Sequence, residues 1–365
     1  MARYAGKLSH DIDRWVEQGL IDEDTAASLR RDVEQTSRSA ISLGTVLSVM
    51  AAVLVAAAIL ILIAANIEQV SRIACVLGLF AIIAASYLGG AMLKARDRNG
   101  FGEALYLIGL AAFGASIALI GQMYHMSGDE AQAIMVWCLG GILAAALLKS
   151  PILTNASVLI ACAWLLMAFD WGRIDHGPSY IFLVLVAIIW AISYWTDSRA
   201  ARHLVILSVL FYAFLYAISD DAVLVGIILI ALSICVFIAA YLAPDTIERF
   251  AQLGGPQPIH PLICFLLGVG LLQAQFADNF GPMLMLSLIA FAGIVAALVL
   301  RGRESRLMRW VAYLAFILEL ALLYFMTIGT MVETGALFLF SGFALAAVAF
   351  IITRVERRIA QGQGT

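Results

Sequence analysis

The chain has 365 residues, of which 63% are hydrophobic and only 13% are charged, and its formal net charge is −3. Soluble proteins carry roughly 25% charged residues, so this chain lacks the charge that a fully water-exposed surface needs. The composition therefore predicts a protein embedded in lipid, with the lipid bilayer as its main partner. The slightly acidic charge argues against nucleic acid as a partner.

The first 40 residues are the most polar part of the chain, and they predict a short cytoplasmic helical hairpin. Ser9 can cap a first helix that Gly19 would end, and Asp22 can cap a second helix. About 30 residues are too few to build an independent core. We therefore expect this head to pack on the membrane helices or on a partner protein, through residues 8–38.

Apolar runs fill the chain from residue 41 to residue 353. A helix needs about 20 apolar residues to cross the hydrocarbon core of a membrane. Twelve runs reach or approach this length, and the pair within 131–169 could also be one hairpin or a less regular pair. The runs lie at 41–65, 71–93, 104–122, 131–148, 151–169, 179–196, 203–218, 222–243, 260–277, 281–300, 307–327 and 333–353. The predicted fold is an all-α polytopic membrane helix bundle with about 12 transmembrane helices.

The distribution of basic residues predicts the orientation of this bundle. With twelve spans and a cytoplasmic N-terminus, all but two of the 22 basic residues fall on one side, and the exceptions are Arg72 and Arg173. Short loops rich in Lys and Arg stay in the cytoplasm. The sequence thus predicts a multi-spanning membrane protein with both termini in the cytoplasm. Its parts would be the head at 1–40, the bundle at 41–353 and a basic tail at 354–365.

The stretch GQMYHMSGDE, between the third and fourth runs, is unusually polar for its surroundings. Ser127 or Asp129 can cap the fourth span, which explains part of this polarity. Gln122, Tyr124 and His125 are not needed to make a turn. We predict that Gln122, Tyr124, His125 and Asp129 lie at the outer membrane boundary as functional or packing determinants.

Catalytic, metal and cofactor sites are not predicted. Met123, His125 and Met126 offer soft ligands that suit copper, but a closed site would need further ligands from another loop. The five cysteines lie in apolar runs without C-x-x-C spacing, which favours packing. The SGDE and LFSG stretches each lack the glycine that the motifs of intramembrane proteases require. We therefore expect that the protein is not an enzyme.

Glu319 is the strongest candidate for a functional residue inside a span. It stands about twelve residues from the basic edge of its run, which is roughly 18 Å along a helix. An ionisable residue at such depth is a functional hypothesis by default, because it could carry a proton or bind a cation between helices. The alternative is a protonated carboxyl bonded to a neighbouring Ser, Thr or Tyr, or one that faces an aqueous vestibule. For Gln273 and Gln275, near the outer end of the ninth run, a structural role is favoured.

Two stretches together resemble a known family. They are LSHDIDRWVEQGLIDEDTAASL and FGASIALIGQMYHMSGDEAQAIMVW, and they resemble predicted bacterial membrane proteins grouped as domain of unknown function family 2157. The resemblance covers roughly residues 8–150. The matching residues are Trp15, Gly19, Leu20, Ile21, Gly114, Ala115, Ile117, Leu119, Gln122, Tyr124, His125, Gly128, Asp129 and Trp137. It implies a multi-spanning inner-membrane protein and no established activity.

Two functions fit these observations. The first is transport or permeation of a small solute or ion, with Glu319 and the turn at 122–130 along the path. The alternative is a non-transporting membrane scaffold or regulatory module that acts through its N-terminal cytoplasmic hairpin.

Overall fold

The structure is a computed structural model, and its helices are the only regular elements in the residues that it describes. The chain divides into two compact units, residues 1–126 and residues 127–365. The described residues are 11–29, 72–125, 128–171, 177–254, 259–301 and 306–328, with single positions in 47–58 and 341–350. The predicted all-α class is therefore confirmed for this part of the chain.

Thirteen helices are defined here within the described ranges, four in the first unit and nine in the second. The first unit holds α1 (11–17), α2 (23–29), α3 (Arg72–Ala95) and α4 (Asn99–Met123). The second unit begins with α5 (Glu130–Leu148), α6 (Pro151–Ala168), α7 (Ile181–Trp195), α8 (Arg199–Ser219) and α9 (Ala222–Leu242). It continues with α10 (Pro244–Ala251), α11 (Ile259–Gln275), α12 (Phe280–Arg301) and α13 (Arg306–Ile328).

Eight of the described helices are long and apolar enough to cross a membrane, namely α3, α4, α5, α6, α8, α9, α12 and α13. Two further apolar helices, α7 and α11, also coincide with predicted spans but have 15 and 17 residues. The first and last predicted spans, at 41–65 and 333–353, lie largely outside the described residues. A polytopic membrane bundle is thus supported, and the count of twelve stays a prediction.

Gly19 and Asp22 stand where the sequence places the end of the first helix and the start of the second, and the predicted cap Ser9 lies outside the described residues. Gly19 has a φ of +66°, and the next amide, of Leu20, donates to the carbonyl of Trp15 at 2.9 Å, which ends α1. Asp22 precedes α2, and a hydrogen bond from the Thr25 side chain lowers the pKa of its carboxyl. The packing of α1 and α2 as a hairpin stays a prediction, and residues 30–40 lie outside the described ranges.

Glycines let α3 and α4 pack closely within the first unit. A Cβ atom at Gly90 would lie 2.9 Å from the carbonyl oxygen of Gly102, and one at Gly102 would lie 2.8 Å from that of Gly90. Further along, a Cβ at Gly109 would lie 3.3 Å from the Cβ of Ser86, so the two helices run antiparallel. Small residues at membrane helix crossings allow this approach.

The segment at 131–169 forms two separate helices in the second unit. Lys149 ends α5 in the left-handed region with a φ of +47°. The hydroxyl of Ser150 then accepts the amide of Leu153 at 3.2 Å and caps α6, while Pro151 occupies the first turn. This local chemistry reverses the chain in two residues.

The core that positions the candidate site comes from α9, α11, α12 and α13. A Cβ at Gly268 of α11 would lie 2.8 Å from the carbonyl oxygen of Gly226 on α9, so these backbones touch. On another side of α11, an apolar cluster joins it to α12 and α13, with Leu262, Ile294, Ala297, Met308 and Ala312 as its buried members. These contacts fix the three helices that carry the polar group described next.

The short helix α10 was not predicted from the sequence. Pro244 starts it, and Ile247, Phe250 and Ala251 recur at the helical spacing of three or four residues. Eight residues are too few to register as a span, which is why this segment reads as a loop in the sequence.

Candidate functional site

Glu319 lies buried among three membrane helices, with an exposure of 8%. The side-chain amide of Gln273 on α11 donates to its Oε1 at 2.5 Å. The same amide nitrogen also donates to the hydroxyl of Ser287 on α12, at 3.2 Å. Gln273 and Ser287 are themselves 4% and 1% exposed. We call Glu319, Gln273 and Ser287 the buried carboxyl group.

The three residues meet because they stand at matching depths. Glu319 follows Arg306, the start of α13, by 13 positions, and Gln273 follows Ile259, the start of α11, by 14. Both helices start at the basic end of the bundle, so at 1.5 Å per residue both side chains lie about 20 Å from that end. The hydrocarbon core is about 30 Å thick. If both helices start at the membrane edge, this depth corresponds to a position inside the core and past its midplane.

Gln273 can form a hydrogen bond with Glu319 whether or not the carboxyl carries a proton. A primary amide carries two N–H donors and one acceptor oxygen. An ionised carboxylate accepts the amide N–H of Gln273, as the structure has it. A protonated carboxyl can instead donate its O–H to the amide oxygen, after the amide turns over. Gln273 can thus satisfy both protonation states of Glu319.

The structure places Gln122, Tyr124 and His125, from the turn at 122–130, at the C-terminal end of α4 and on its exposed side. Gln122, Tyr124 and His125 are exposed, whereas Met123 between them is 7% exposed and packs inward. The guanidinium carbon of Arg72 lies 5.8 Å from the centre of the Tyr124 ring, a cation–π contact. The functional role of these three residues stays a prediction.

Asp129 has a structural task in the second unit. Its carboxylate accepts the amide of Ala131 at 2.9 Å and caps α5. This confirms the capping role that the sequence offered to Ser127 or Asp129. Gln122, Tyr124 and His125 belong to the other unit, and residues 126–127 lie outside the described ranges.

Comparison with known families supports the resemblance seen in the sequence. Residues 13–154 match the family described as predicted membrane protein (DUF2157). No curated protein and no solved structure matches the chain. The DUF2157 match includes the turn at 122–130 and ends within α6, so the buried carboxyl group lies beyond it.

An ion pair inside the DUF2157 region was missed at the sequence level. The ammonium of Lys94 lies 2.7 Å from a carboxylate oxygen of Glu103, and it also lies 5.3 Å from the centre of the Tyr106 ring. Glu103 is only 8% exposed. In the sequence, Lys94 is one of the basic residues whose distribution predicts the orientation of the bundle. An acid nine residues later, across a short loop, is the signal that could have revealed the pair.

A histidine pair outside the DUF2157 region was also missed. Nδ1 of His203 lies 3.1 Å from Nε2 of His260, and the rings stack with their centres 4.9 Å apart. Nε2 of His203 lies 3.2 Å from the carbonyl oxygen of Leu253, which can only accept. In a neutral His203, Nδ1 therefore accepts from Nε2–H of His260. The pair ties α8 to α11, and the contact with Leu253 ties the segment after α10 to α8.

Proposed function

We propose that this membrane protein moves a small cation across the bilayer, a proton in the simplest case, and that Glu319 is the group that binds it. The observation that carries this proposal is the burial of Glu319 against Gln273, at a depth where the surroundings are lipid and protein. This refines the prediction of transport or permeation of a small solute or ion.

The cost of an acid at this depth favours a functional role. An Asp, Lys or Arg at the centre of a membrane helix costs about 2.5–3.5 kcal/mol on insertion scales. A structural hydrogen bond to Gln273 could be made by a neutral Gln or Ser at position 319 without that cost. A carboxyl is needed where the group must change its charge.

Proton binding and release at Glu319 would need only local movement. When Glu319 is ionised, the N–H of Gln273 stabilises the carboxylate, and when Glu319 takes up a proton, the amide oxygen of Gln273 accepts it in a hydrogen bond. The hydroxyl of Ser287 accepts from the same amide nitrogen and helps to orient the amide. Gln273 thus offers Glu319 a hydrogen-bond partner in either state.

The test is proton flux into liposomes that contain the purified full-length protein and a pH-sensitive dye. An imposed potassium diffusion potential drives the flux. Wild-type protein is expected to acidify the lumen, and Glu319→Gln is expected to slow this at least tenfold. The amide of Gln at 319 can still donate to and accept from Gln273, so the bundle should stay folded.

Glu23→Gln is the matched control, because it makes the same chemical change at an exposed residue at the start of α2, away from the residues placed along the path. It should leave the flux unchanged. A flux that is equal in wild type and Glu319→Gln, with both proteins folded, would refute the role of Glu319. A flux no higher than that of protein-free liposomes for wild-type protein would refute proton movement.

The scaffold function is supported by one feature of the head. Leu20 lies between α1 and α2 with an exposure of 67%, and Leu29 at the end of α2 is 37% exposed, so apolar surface is available to a partner. Ile12 and Ala26, in contrast, are buried. Deletion of residues 1–38 should then release co-purifying proteins, whereas Leu20→Asp should weaken their retention.

A further inference from the structure

Arg202, at the basic end of the second unit, is fully buried, and only two of its three guanidinium nitrogens have a hydrogen-bond acceptor among the described residues. Its Nε donates to the carbonyl of Gln252 at 3.1 Å, and Nη1 donates to that of Ser193 at 3.0 Å. Nη2 has no hydrogen-bond acceptor among the described residues. The carboxylate of Asp197 is 3.7 Å from Nη2, and its side chain is 83% exposed.

A buried guanidinium with one N–H donor group that lacks an acceptor favours the binding of an anion. A buried charged donor that lacks an acceptor costs about 1–3 kcal/mol or more. Arginine presents its donors as a planar fork that fits the oxygens of a phosphate or carboxylate. The two bonds that Arg202 already makes fix the orientation of this fork.

Arg202 lines a charged cavity of about 370 Å³ between α8 and α10. The cavity contains as many arginines as carboxylates, and its other lining residues are Asp197, Arg199, Asp245, Glu248, Arg249 and Gln252. An anion alone would sit beside three carboxylates. A ligand group that carries one positive and one negative charge can pair with the carboxylates and with the arginines.

A larger and mostly apolar cavity, of about 580 Å³, adjoins the charged one. Both cavities have Glu248 in their walls, and the consecutive residues Gln252 and Leu253 line one each. The apolar walls come from α7, α8, α9, α10 and α11 and include Trp190, Val209 and Val236. Ligand sites in proteins commonly have volumes of about 300–1,000 Å³.

We propose that the two cavities together bind one zwitterionic phospholipid of the bilayer. Arg202, Arg199 and Arg249 would hold the phosphate, and the carboxylates would accept hydrogen bonds from a primary ammonium group. An acyl chain would lie in the apolar cavity. The chain order supports this placement, because the charged cavity lies where α8 and α10 begin, at the basic end of the spans, and the apolar cavity extends along the spans themselves.

Native mass spectrometry of the delipidated full-length protein tests the proposal. The probes are phosphatidylethanolamine, phosphatidylglycerol and inorganic phosphate, each added to protein in detergent at the same concentration. Phosphatidylethanolamine should bind with one lipid per chain, at least about tenfold more tightly than phosphatidylglycerol. Equal binding of both lipids would overturn the zwitterionic assignment. Tight binding of inorganic phosphate would identify a free anion as the ligand and overturn the lipid.

Two variants examine the two cavities separately. Arg249→Gln removes a charge from an exposed residue, so folding should be kept, and it should weaken phosphatidylethanolamine binding about tenfold. Val236→Trp fills the apolar cavity without changing a charge, and it should weaken binding as much. Ile228→Trp, on the same helix but outside both cavity walls, is the control and should bind as wild type does. Unchanged lipid binding in both test variants would overturn the proposal.

Discussion

Replacing Gln273 or Glu319 alone by Met should destabilise the second unit, and replacing both should cost less than the sum of the two single changes. Met is unbranched and similar in length to Gln and Glu, so the volume of the core hardly changes. Each single change removes one partner of a buried hydrogen bond and leaves the other with its desolvation cost. The double change removes both polar groups at once.

The expected magnitude follows from the bonds that are lost. Gln273→Met takes away the donor to Glu319 and also the donor to Ser287, so it should cost about 2–3 kcal/mol. Glu319→Met leaves the amide of Gln273 bonded to Ser287, so it should cost less, about 1 kcal/mol. Hydrogen bonds between membrane helices have measured coupling energies of about 0.6 kcal/mol on average and up to about 1.7. We expect a coupling of about 1 kcal/mol here, because all three members are buried, so the double variant should cost about 2–3 kcal/mol, no more than Gln273→Met alone.

The assay is reversible unfolding of the four proteins in mixed micelles, followed by circular dichroism as the denaturing detergent is increased. The free energies of unfolding then close a double-mutant cycle. Additive effects, with a coupling within about 0.3 kcal/mol of zero, would show that Gln273 and Glu319 do not stabilise each other. Single variants as stable as wild type would refute the buried hydrogen bond itself.

Two other predictions concern the packing of each unit. Gly268→Leu should destabilise the second unit by about 1–3 kcal/mol through overpacking against α9, whereas Gly270→Leu, which meets no atom within 4 Å, should be tolerated. Lys94→Met should cost about 1–3 kcal/mol, because it takes the ammonium away from the buried carboxylate of Glu103. Adding Glu103→Gln should recover part of that loss. Thermal unfolding in detergent measures all four variants, and a Gly270→Leu variant as unstable as Gly268→Leu would contradict the assigned helix crossing.

The positions of the helices could be predicted because hydropathy alone decides them. A membrane span must be apolar over a fixed length and must satisfy its backbone internally, so the sequence marks it directly. The helix ends at Asp129 and Gly19 could also be predicted from the sequence, because the capping chemistry is local. The short helix α10 was missed because its eight residues are half polar and carry no span signal.

The candidate site was predicted in part. The depth of a residue within its span can be counted from the sequence, whereas the packing of one helix against another cannot. The position of Glu319 inside its span follows from the distance to Arg306. The sequence favours a structural role for Gln273, but it names Ser, Thr or Tyr and not Gln273 as the partner of Glu319. That these two residues and Ser287 face one another depends on the rotation of three helices. Rotation is decided by contacts such as the one between Gly226 and Gly268, which link positions 42 residues apart in the chain.

The buried carboxyl group and the proposed lipid site share α11 but are separate in space. His260 lines the apolar cavity at the start of α11, and Gln273 is 13 residues further on, about 20 Å along the helix. Side chains more than about 7–10 Å apart without shared partners usually act independently. Failure of one proposal therefore leaves the other intact. Both sites also lie beyond residue 154, where the DUF2157 match ends, so each depends on the packing of the second unit and not on the family likeness.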